Sequence, residues 1–166
     1  MKLGTKGRYA VMALADLALH GRDGPVTLAD IASRQEISLS YLEQLFAKMR
    51  RARVVESVRG PGGGYKLARA ASETRIADVV TAVDEPMTVT RCSPAQSEGC
   101  MSQKGRCLTH DLWDELGRHI YLFLNAVSLE DVIERRVAGA AGRGLGAPAP
   151  QTGARCAARV AQEIAL

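Results

Sequence analysis

Near residue 52 the apolar period of this chain changes, and a run of glycines follows. Up to Arg51 the apolar residues recur at helical spacing. From Val54 they do not: Val54-Val55-Glu56-Ser57-Val58 and Tyr65-Lys66-Leu67-Ala68 read as two short strands, joined by Arg59-Gly60-Pro61-Gly62-Gly63-Gly64. A connection made mostly of glycine can close a tight antiparallel hairpin and bring its backbone close to another surface. The residues before the hairpin narrow the choice of fold further.

Residues 5–19 predict a first helix, with Tyr9, Ala10, Ala13, Leu14, Leu17 and Ala18 on one stripe and Gly21 as its stop. After the Gly24-Pro25 turn, Thr27-Leu28-Ala29-Asp30 has the form of a helix-start box, so a second helix covers 28–34. A short turn at 35–37 leads to Ser38 as a second cap. A third helix covers 39–51, with Leu42, Leu45, Phe46 and Met49 inward. Helix, tight turn, helix and glycine hairpin together spell a winged helix-turn-helix.

Further on, Ile76, Val79, Val80 and Val83 mark a fourth helix over 75–83. A long helix follows over 109–126, with Leu112, Leu116, Ile120, Phe123, Leu124 and Val127 in a stripe flanked by Trp113 and Tyr121. Ser128-Leu-Glu-Asp131 starts a shorter helix to about 136. The expected fold class is mainly α: a winged helix-turn-helix with a small β-hairpin wing and a long C-terminal helix. The expected organisation is a reading head over 1–83, a loop over 84–108, long-helix residues 109–137, and a tail over 138–166. The tail's Gly, Ala, Pro and Arg content predicts disorder.

Charge is uneven along the 166 residues. Residues 1–70 carry twelve Lys/Arg against six Asp/Glu, whereas residues 71–166 carry ten against twelve. Between Lys48 and Arg69 there are seven cations and one acid, Glu56. This asymmetry points to a polyanionic partner for the first half, although charge alone does not separate that from a basic solvated face. Lys2, Lys6 and Arg8 before the apolar run 9–19 loosely imitate a secretory signal, but Asp16 interrupts the run and no small-residue cleavage site follows. No apolar stretch approaches twenty residues, so the expectation is a cytoplasmic protein without a membrane span.

If the third helix reads DNA, its N-terminal side chains reach base edges first. Ser38, Ser40, Tyr41, Glu43 and Gln44 form that face. Gln44 suits a bidentate contact to adenine, Ser40 several bases or a phosphate, and Tyr41 a phosphate. Glu43 tolerates DNA only where it accepts from a cytosine amino group, which makes it a discriminator. Taken singly, Ser38 and Ser40 are equally well helix caps and Glu43 a solvated charge. The wing adds Arg59, with Gly60, Pro61, Gly62 and Gly63 leaving it unobstructed for minor-groove entry. Lys6, Arg8, Lys48, Arg50 and Arg51 are candidate phosphate contacts. No Gly-Lys-Ser/Thr follows the glycines, which excludes a nucleotide phosphate loop, and no hydrolase, zinc-protease or dinucleotide motif is present. The expectation is a protein that is not an enzyme.

The segment between the fourth and fifth helices carries Cys92, Cys100, Cys107 and His110: three of four cysteines and one of three histidines within nineteen positions. Three thiolates and an imidazole in a polar loop suit a soft metal centre. Structural zinc sites place cysteines two to four residues apart. Here the gaps are seven and six, and only Cys107 and His110 are that close. The wide spacing favours an iron–sulfur cluster, whose histidine ligand would raise its potential and make its occupancy sensitive to protons. A zinc-stabilised interaction module, a redox-active thiol group and unligated cysteines stay as alternatives. His20, His119 and Cys156 have no such neighbours and are read as packing or surface residues.

The stretches Lys6-Gly-Arg-Tyr-Ala10, Ile37-Ser-Leu-Ser-Tyr-Leu-Glu-Gln-Leu-Phe46, Val58-Arg-Gly-Pro-Gly-Gly-Gly-Tyr65, Arg91-Cys92 and Cys107-Leu-Thr-His110 closely resemble the IscR family of iron–sulfur cluster regulators, over residues 1–135. The resemblance implies a homodimeric winged-helix transcription factor on double-stranded DNA. It implies one [2Fe–2S] cluster per protomer, held by Cys92, Cys100, Cys107 and His110 and delivered by the cluster-assembly machinery. It also implies repression of cluster-assembly genes when the cluster is present, with other promoters regulated in the apo form. Both cysteine gaps are longer than the family's, and added loop length costs little. A regulator of the same fold sensing oxidant or nitric oxide is the nearest alternative. In this reading the long-helix stripe pairs two copies across a two-fold axis and spaces their recognition helices on a palindromic site. A six-position stripe equally suits packing within one chain.

Overall fold

Capping and apolar spacing place the helices close to their expected limits. The computed structural model describes residues 4–85 and 106–137. Helix α1 is Thr5–His20, α2 Leu28–Gln35 and α3 Leu39–Arg51. Strands β1 (Val55–Val58) and β2 (Gly64–Leu67) form the hairpin. Helix α4 is Ile76–Ala82, α5 His110–Ala126 and α6 Leu129–Ile133. At α2 the Thr27 hydroxyl accepts the Asp30 amide (3.2 Å), as the start box requires. At α6 the box is reciprocal: Ser128 Oγ accepts the Asp131 amide at 3.1 Å and Asp131 Oδ2 accepts the Ser128 amide at 3.0 Å. Helix α6 is shorter than its sequence pattern, because Glu134 takes the C-cap and Arg135 turns to φ 56°.

Ser38 departs from expectation. It occupies the N-cap position of α3 with extended backbone, but its side chain makes no capping hydrogen bond. The helix entry is fixed by apolar packing instead: Ile37, just outside the helix, and Leu42, four positions after the cap, are both buried, as in a hydrophobic staple. The turn between α2 and α3 passes through Glu36 in the left-handed region (φ 54°), a conformation costing a non-glycine residue about 1–2 kcal/mol.

The core gathers Leu14 and Leu17 of α1, Ile31 of α2, Leu42, Phe46 and Met49 of α3, and Val79 and Val80 of α4. Burying a side chain of this kind contributes about 1.5–3 kcal/mol. Leu129 of α6 is fully buried in the same core. Backbone bonds from Ile76 N to Val127 O (3.0 Å) and from Leu129 N to Thr74 O (2.8 Å) tie the start of α6 to the start of α4. Residues 127–133 therefore complete the head's core, rather than standing apart with the long helix. Helix α5 lies against α4, but most of it stays outside that core.

The wing has a register of Val55↔Leu67, Glu56↔Lys66, Ser57↔Tyr65 and Val58↔Gly64, with an ion pair across the strands from Lys66 to Glu56 (3.2 Å). A third contact anchors it. Val26, ahead of α2, bridges Tyr65 with two backbone bonds of 2.9 and 2.8 Å. Gly60 (φ 109°) and Gly62 (φ 75°) make the reversal in a region that L side chains rarely adopt. Gly64 is required for another reason. A Cβ there would stand 2.6 Å from the Val26 carbonyl carbon and closer still to its oxygen.

Candidate nucleic-acid interface and ligand segment

Helix α3 turns its apolar side into the core and leaves one edge to solvent. Ser38, Ser40, Glu43 and Gln44 are all exposed on that edge. Tyr41 is half-buried, packed edge-on against Tyr9 with ring centroids 6.0 Å apart, so its ring belongs to the α1–α3 contact. The wing is coupled to the same helix from within, because Tyr65 of β2 meets Phe46 of α3 edge-on at 4.9 Å. The helix tip and the wing are thus held by one apolar joint. At the wing tip Arg59, Gly60, Pro61 and Gly62 are exposed and Gly63 is half-buried. No atom lies within 4 Å of where side chains at Gly60 or Gly62 would start, so the tip is sterically open.

The candidate phosphate contacts fall into two groups. Lys6, Arg8, Arg50 and Arg51 are exposed. Lys48 differs: its ammonium lies 2.8 Å from Asp84 Oδ2, just past the end of α4. That hydrogen bond and the lysine's charge hold the Asp84 carboxyl below its ordinary pKa. The pair lines a cleft of about 620 Å³ with Arg51, Arg69, Asp78 and Tyr121. Both acids of the cleft are paired with a base, Asp84 with Lys48 and Asp78 with Arg69 at 3.1 Å.

Beneath the interface lies a cluster that sequence reasoning missed. Asp16, which interrupts the apolar run of α1, is almost fully buried. Arg34 of α2 donates to it through Nε (3.0 and 3.1 Å) and Nη2 (2.7 Å), and Gln35 through Nε2 (2.9 Å). Burial alone would raise the carboxyl's pKa, but these hydrogen bonds and the Arg34 charge outweigh it and hold the group low. The clamp fixes α2 on α1 and so sets the platform on which α3 turns. The available sequence signal was the acid itself, set among Ala13, Leu14 and Leu17 of the buried stripe. Leu39, exposed at the first position of α3, also carried no sequence signal.

Of the four candidate metal ligands, Cys92 and Cys100 lie outside the described residues, as do residues 138–166 with Cys156. Cys107 is half-buried and His110 buried, at the first turn of α5. The His110 amide bonds the Cys107 carbonyl at 3.0 Å, and Cys107 Sγ is 3.7 Å from Thr109 Oγ1. One turn therefore carries both a cysteine and a histidine, residue types suited to an iron–sulfur centre or to zinc. His20 binds the Asp16 carbonyl (2.9 Å) and His119 the Glu115 carbonyl (3.0 Å), so each is held by its own helix. Helix α5 exposes Leu112 (62%), Phe123 (38%), Trp113, Tyr121 and Leu122, and Leu108 precedes it fully open. Among the described residues, Val127 at the end of the stripe is buried in the core, Leu124 packs against it, and Leu116 and Ile120 are half-buried, so the outward part of the stripe is Leu112 and Phe123. No described helix is long and apolar enough to cross a membrane.

Comparison with known proteins agrees with this arrangement. The chain is 56% identical over 135 residues to the helix-turn-helix transcriptional regulator ORF2 of Azotobacter vinelandii, covering 81% of this chain and 80% of that protein. It is 53% identical over 136 residues to the transcriptional regulator IscR of Xenorhabdus nematophila, covering 82% and 81%. Among solved structures, IscR of T. potens superposes with a TM-score of 0.67 at 34% identity, over 82% of this chain and 88% of that one. These relatives are regulators, not enzymes, and their winged-helix fold is the one described above. The model of the Rrf2 family, described as iron-dependent transcriptional regulators, matches residues 3–135, and the chain belongs to that family of transcriptional regulators.

Proposed function

We propose that two copies of this chain read a palindromic site on double-stranded DNA, and that the segment from Cys92 to His110 reports the supply of iron–sulfur clusters. The observation that carries the DNA-reading half is the solvent-facing first turn of α3, joined through Phe46 and Tyr65 to an open-tipped wing. On that face Gln44 pairs with adenine, Glu43 accepts from a cytosine amino group and Ser38 and Ser40 take nearby base edges or phosphates. Arg59 enters the minor groove, while Lys6, Arg8, Arg50 and Arg51 fix the register on phosphates.

Cys92, Cys100, Cys107 and His110 would hold one [2Fe–2S] cluster per protomer, received from the cluster-assembly machinery. Support comes from Cys107 and His110 lying on one turn at the start of α5, the family's iron-dependent description and the names of the relatives. When bound, the cluster supplies a prosthetic group whose presence follows iron and sulfide availability. The exposed side of α5 pairs the two copies, so the proposed organisation is a reading head (1–83), a ligand segment (84–108), the pairing helix α5 followed by α6, which returns to the head's core (109–137), and a tail (138–166). Coupling of about 1–3 kcal/mol between the ligand segment and the head is enough to change operator preference several-fold or more. In the cytoplasm such a protein represses cluster-assembly genes when clusters are plentiful.

The test is oxygen-free purification with iron and acid-labile sulfide analysis, followed by DNA-binding selectivity of the native protein and of Cys92→Ala. The expected result is a coloured protein with near-equal iron and sulfide whose preferred duplexes differ from those of the variant. A colourless protein containing zinc, or identical selectivity of the two, overturns the sensing role.

A further inference from the structure

We propose that Leu39 reads the C5-methyl group of a thymine in the major groove. This rests on the reading of α3 as the DNA-recognition helix. Leu39 is the first residue of α3 and is 43% exposed. Among the described residues of the head, the other exposed large apolar side chains are Met12 and Leu19, both on α1. Leu39 is therefore the one such group on the solvent edge of α3.

The fold has no evident need for it there. The staple that fixes the helix entry is built from Ile37 and Leu42, both buried, and the core face of α3 is Leu42, Leu45, Phe46 and Met49. A serine or aspartate at the same place would leave these contacts intact and avoid exposing an isobutyl group to water.

Position explains what the side chain can do. Residues four apart lie on one helix face, so Leu39 stands one turn ahead of Glu43, and Ser38 and Ser40 flank it. The first turn of a recognition helix is the part that meets base edges. Of the four bases only thymine presents an apolar group there, its C5-methyl, and apolar side chains are what recognise it. Glu43 disfavours most neighbours and accepts from cytosine. Leu39 beside it adds a preference for thymine one or two base pairs away, so together they read a mixed pyrimidine step rather than a single base.

The experiment starts from a pool of random-sequence duplexes, from which sites are selected with native protein, Leu39→Ala and Leu39→Met. In the best native site each strongly selected thymine is then replaced by deoxyuridine, which removes the methyl group alone. Affinities are read by fluorescence anisotropy at one fixed salt concentration, because binding to DNA falls steeply with salt. At one thymine, deoxyuridine should weaken the native protein about four-fold, the worth of one buried methyl group. It should weaken Leu39→Met by a similar factor and leave Leu39→Ala unchanged. Melting curves of the variants should stay close to the native one, because Leu39 is not among the buried core residues. Equal deoxyuridine penalties in native protein and Leu39→Ala at every thymine would sink the Leu39 inference while leaving DNA reading by α3 intact. A native protein that enriches no motif would sink both. Loss of all binding by both folded variants would make Leu39 a general contact and also overturn the inference.

Discussion

The most direct test of how the wing is held is a single added methyl group, Gly64→Ala. The Cβ would lie 2.6 Å from the Val26 carbonyl carbon and 3.1 Å from the Thr27 nitrogen, both backbone atoms that cannot rotate aside. Relief requires β2 to move away from Val26. That breaks the two Val26–Tyr65 bonds of 2.9 and 2.8 Å, at about 1 kcal/mol each. Tyr65 is also the residue that meets Phe46 at 4.9 Å, a contact worth about 0.5–1.5 kcal/mol. Against this, alanine restricts the unfolded chain and returns about 0.4–1 kcal/mol. The net expected loss is about 2 kcal/mol, or roughly 8 °C in Tm for a domain of this size. Gly62→Ala is the control. Its φ of 75° strains an L residue, but nothing lies within 4 Å, so the cost is confined to the tip at about 1 kcal/mol. Thermal denaturation should rank native protein, Gly62→Ala and Gly64→Ala in falling order. Amide exchange should show Tyr65 losing protection in Gly64→Ala while Met49 keeps it. A Gly64→Ala protein that melts with the native one, or above Gly62→Ala, would refute the idea that the Val26 seam holds the wing.

Three further outcomes follow from the same geometry. Asp16→Asn should cost about 2 kcal/mol near pH 7, since it weakens charge-assisted bonds to Arg34. The Asp16 carboxyl is held below its ordinary pKa, so its contribution is complete above about pH 4 and is lost as pH falls through the folded value. The Tm gap between native protein and Asp16→Asn should therefore hold above about pH 4 and close as the pH falls below it, and a constant gap would contradict the clamp. In DNA titrations Arg50→Ala should flatten the salt dependence by about one unit, whereas Lys48→Ala, already paired with Asp84 at 2.8 Å, should change it little; equal slopes for both variants would count against the division of the basic residues made here. The double variant Leu112→Glu/Phe123→Glu should halve the mass measured by light scattering yet retain the helical content of the head, since both side chains are exposed in the single chain; an unchanged mass would remove α5 as the pairing surface.

Local signals carried most of the architecture. Thr27 with Asp30 and Ser128 with Asp131 marked two helix starts because their capping bonds form within four residues. The apolar spacing of Leu42, Leu45, Phe46 and Met49 marked the buried side of α3 for the same local reason. What could not be read were contacts between distant parts of the chain. Asp16 looked like a break in an apolar run, and only Arg34 and Gln35, eighteen and nineteen residues on, make its burial favourable. Val26 carries no strand signal, because a single residue pairing with Tyr65 across the fold has no period to detect. Lys48 resembled any other surface cation until Asp84 was placed beside it. Ser38 was misjudged as a side-chain cap because its type and position both suit one, while the packing of Ile37 and Leu42 makes that bond dispensable. The candidate ligands Cys92, Cys100, Cys107 and His110 stood out by residue type and spacing; Cys107 and His110 fall on one turn, and the other two lie outside the described residues.

The anchoring of α6 bears on how the long helix can act. The two ends of α5 are placed differently. Its start carries the Cys107–His110 turn, and its end runs through Val127 into bonds with Ile76 and Thr74 at the foot of α4. Between them the helix lies on α4 and leaves Leu112, Trp113, Tyr121, Leu122 and Phe123 exposed. The other end of α4 leads to Asp84, held to Lys48 of α3, and to Glu85, whose carboxylate accepts the Gly4 amide at 2.7 Å. The proposed ligand segment therefore begins at a corner tied to α3 and ends in a helix whose far end is locked into the head's core. A rigid element fixed at one end and exposed along its length suits the transmission of a change at His110, because packed helices shift as units rather than bending locally. An isolated flexible tether at either end would have let such a change dissipate. The buried Leu129 and the bonded Val127 exclude that at the α6 end.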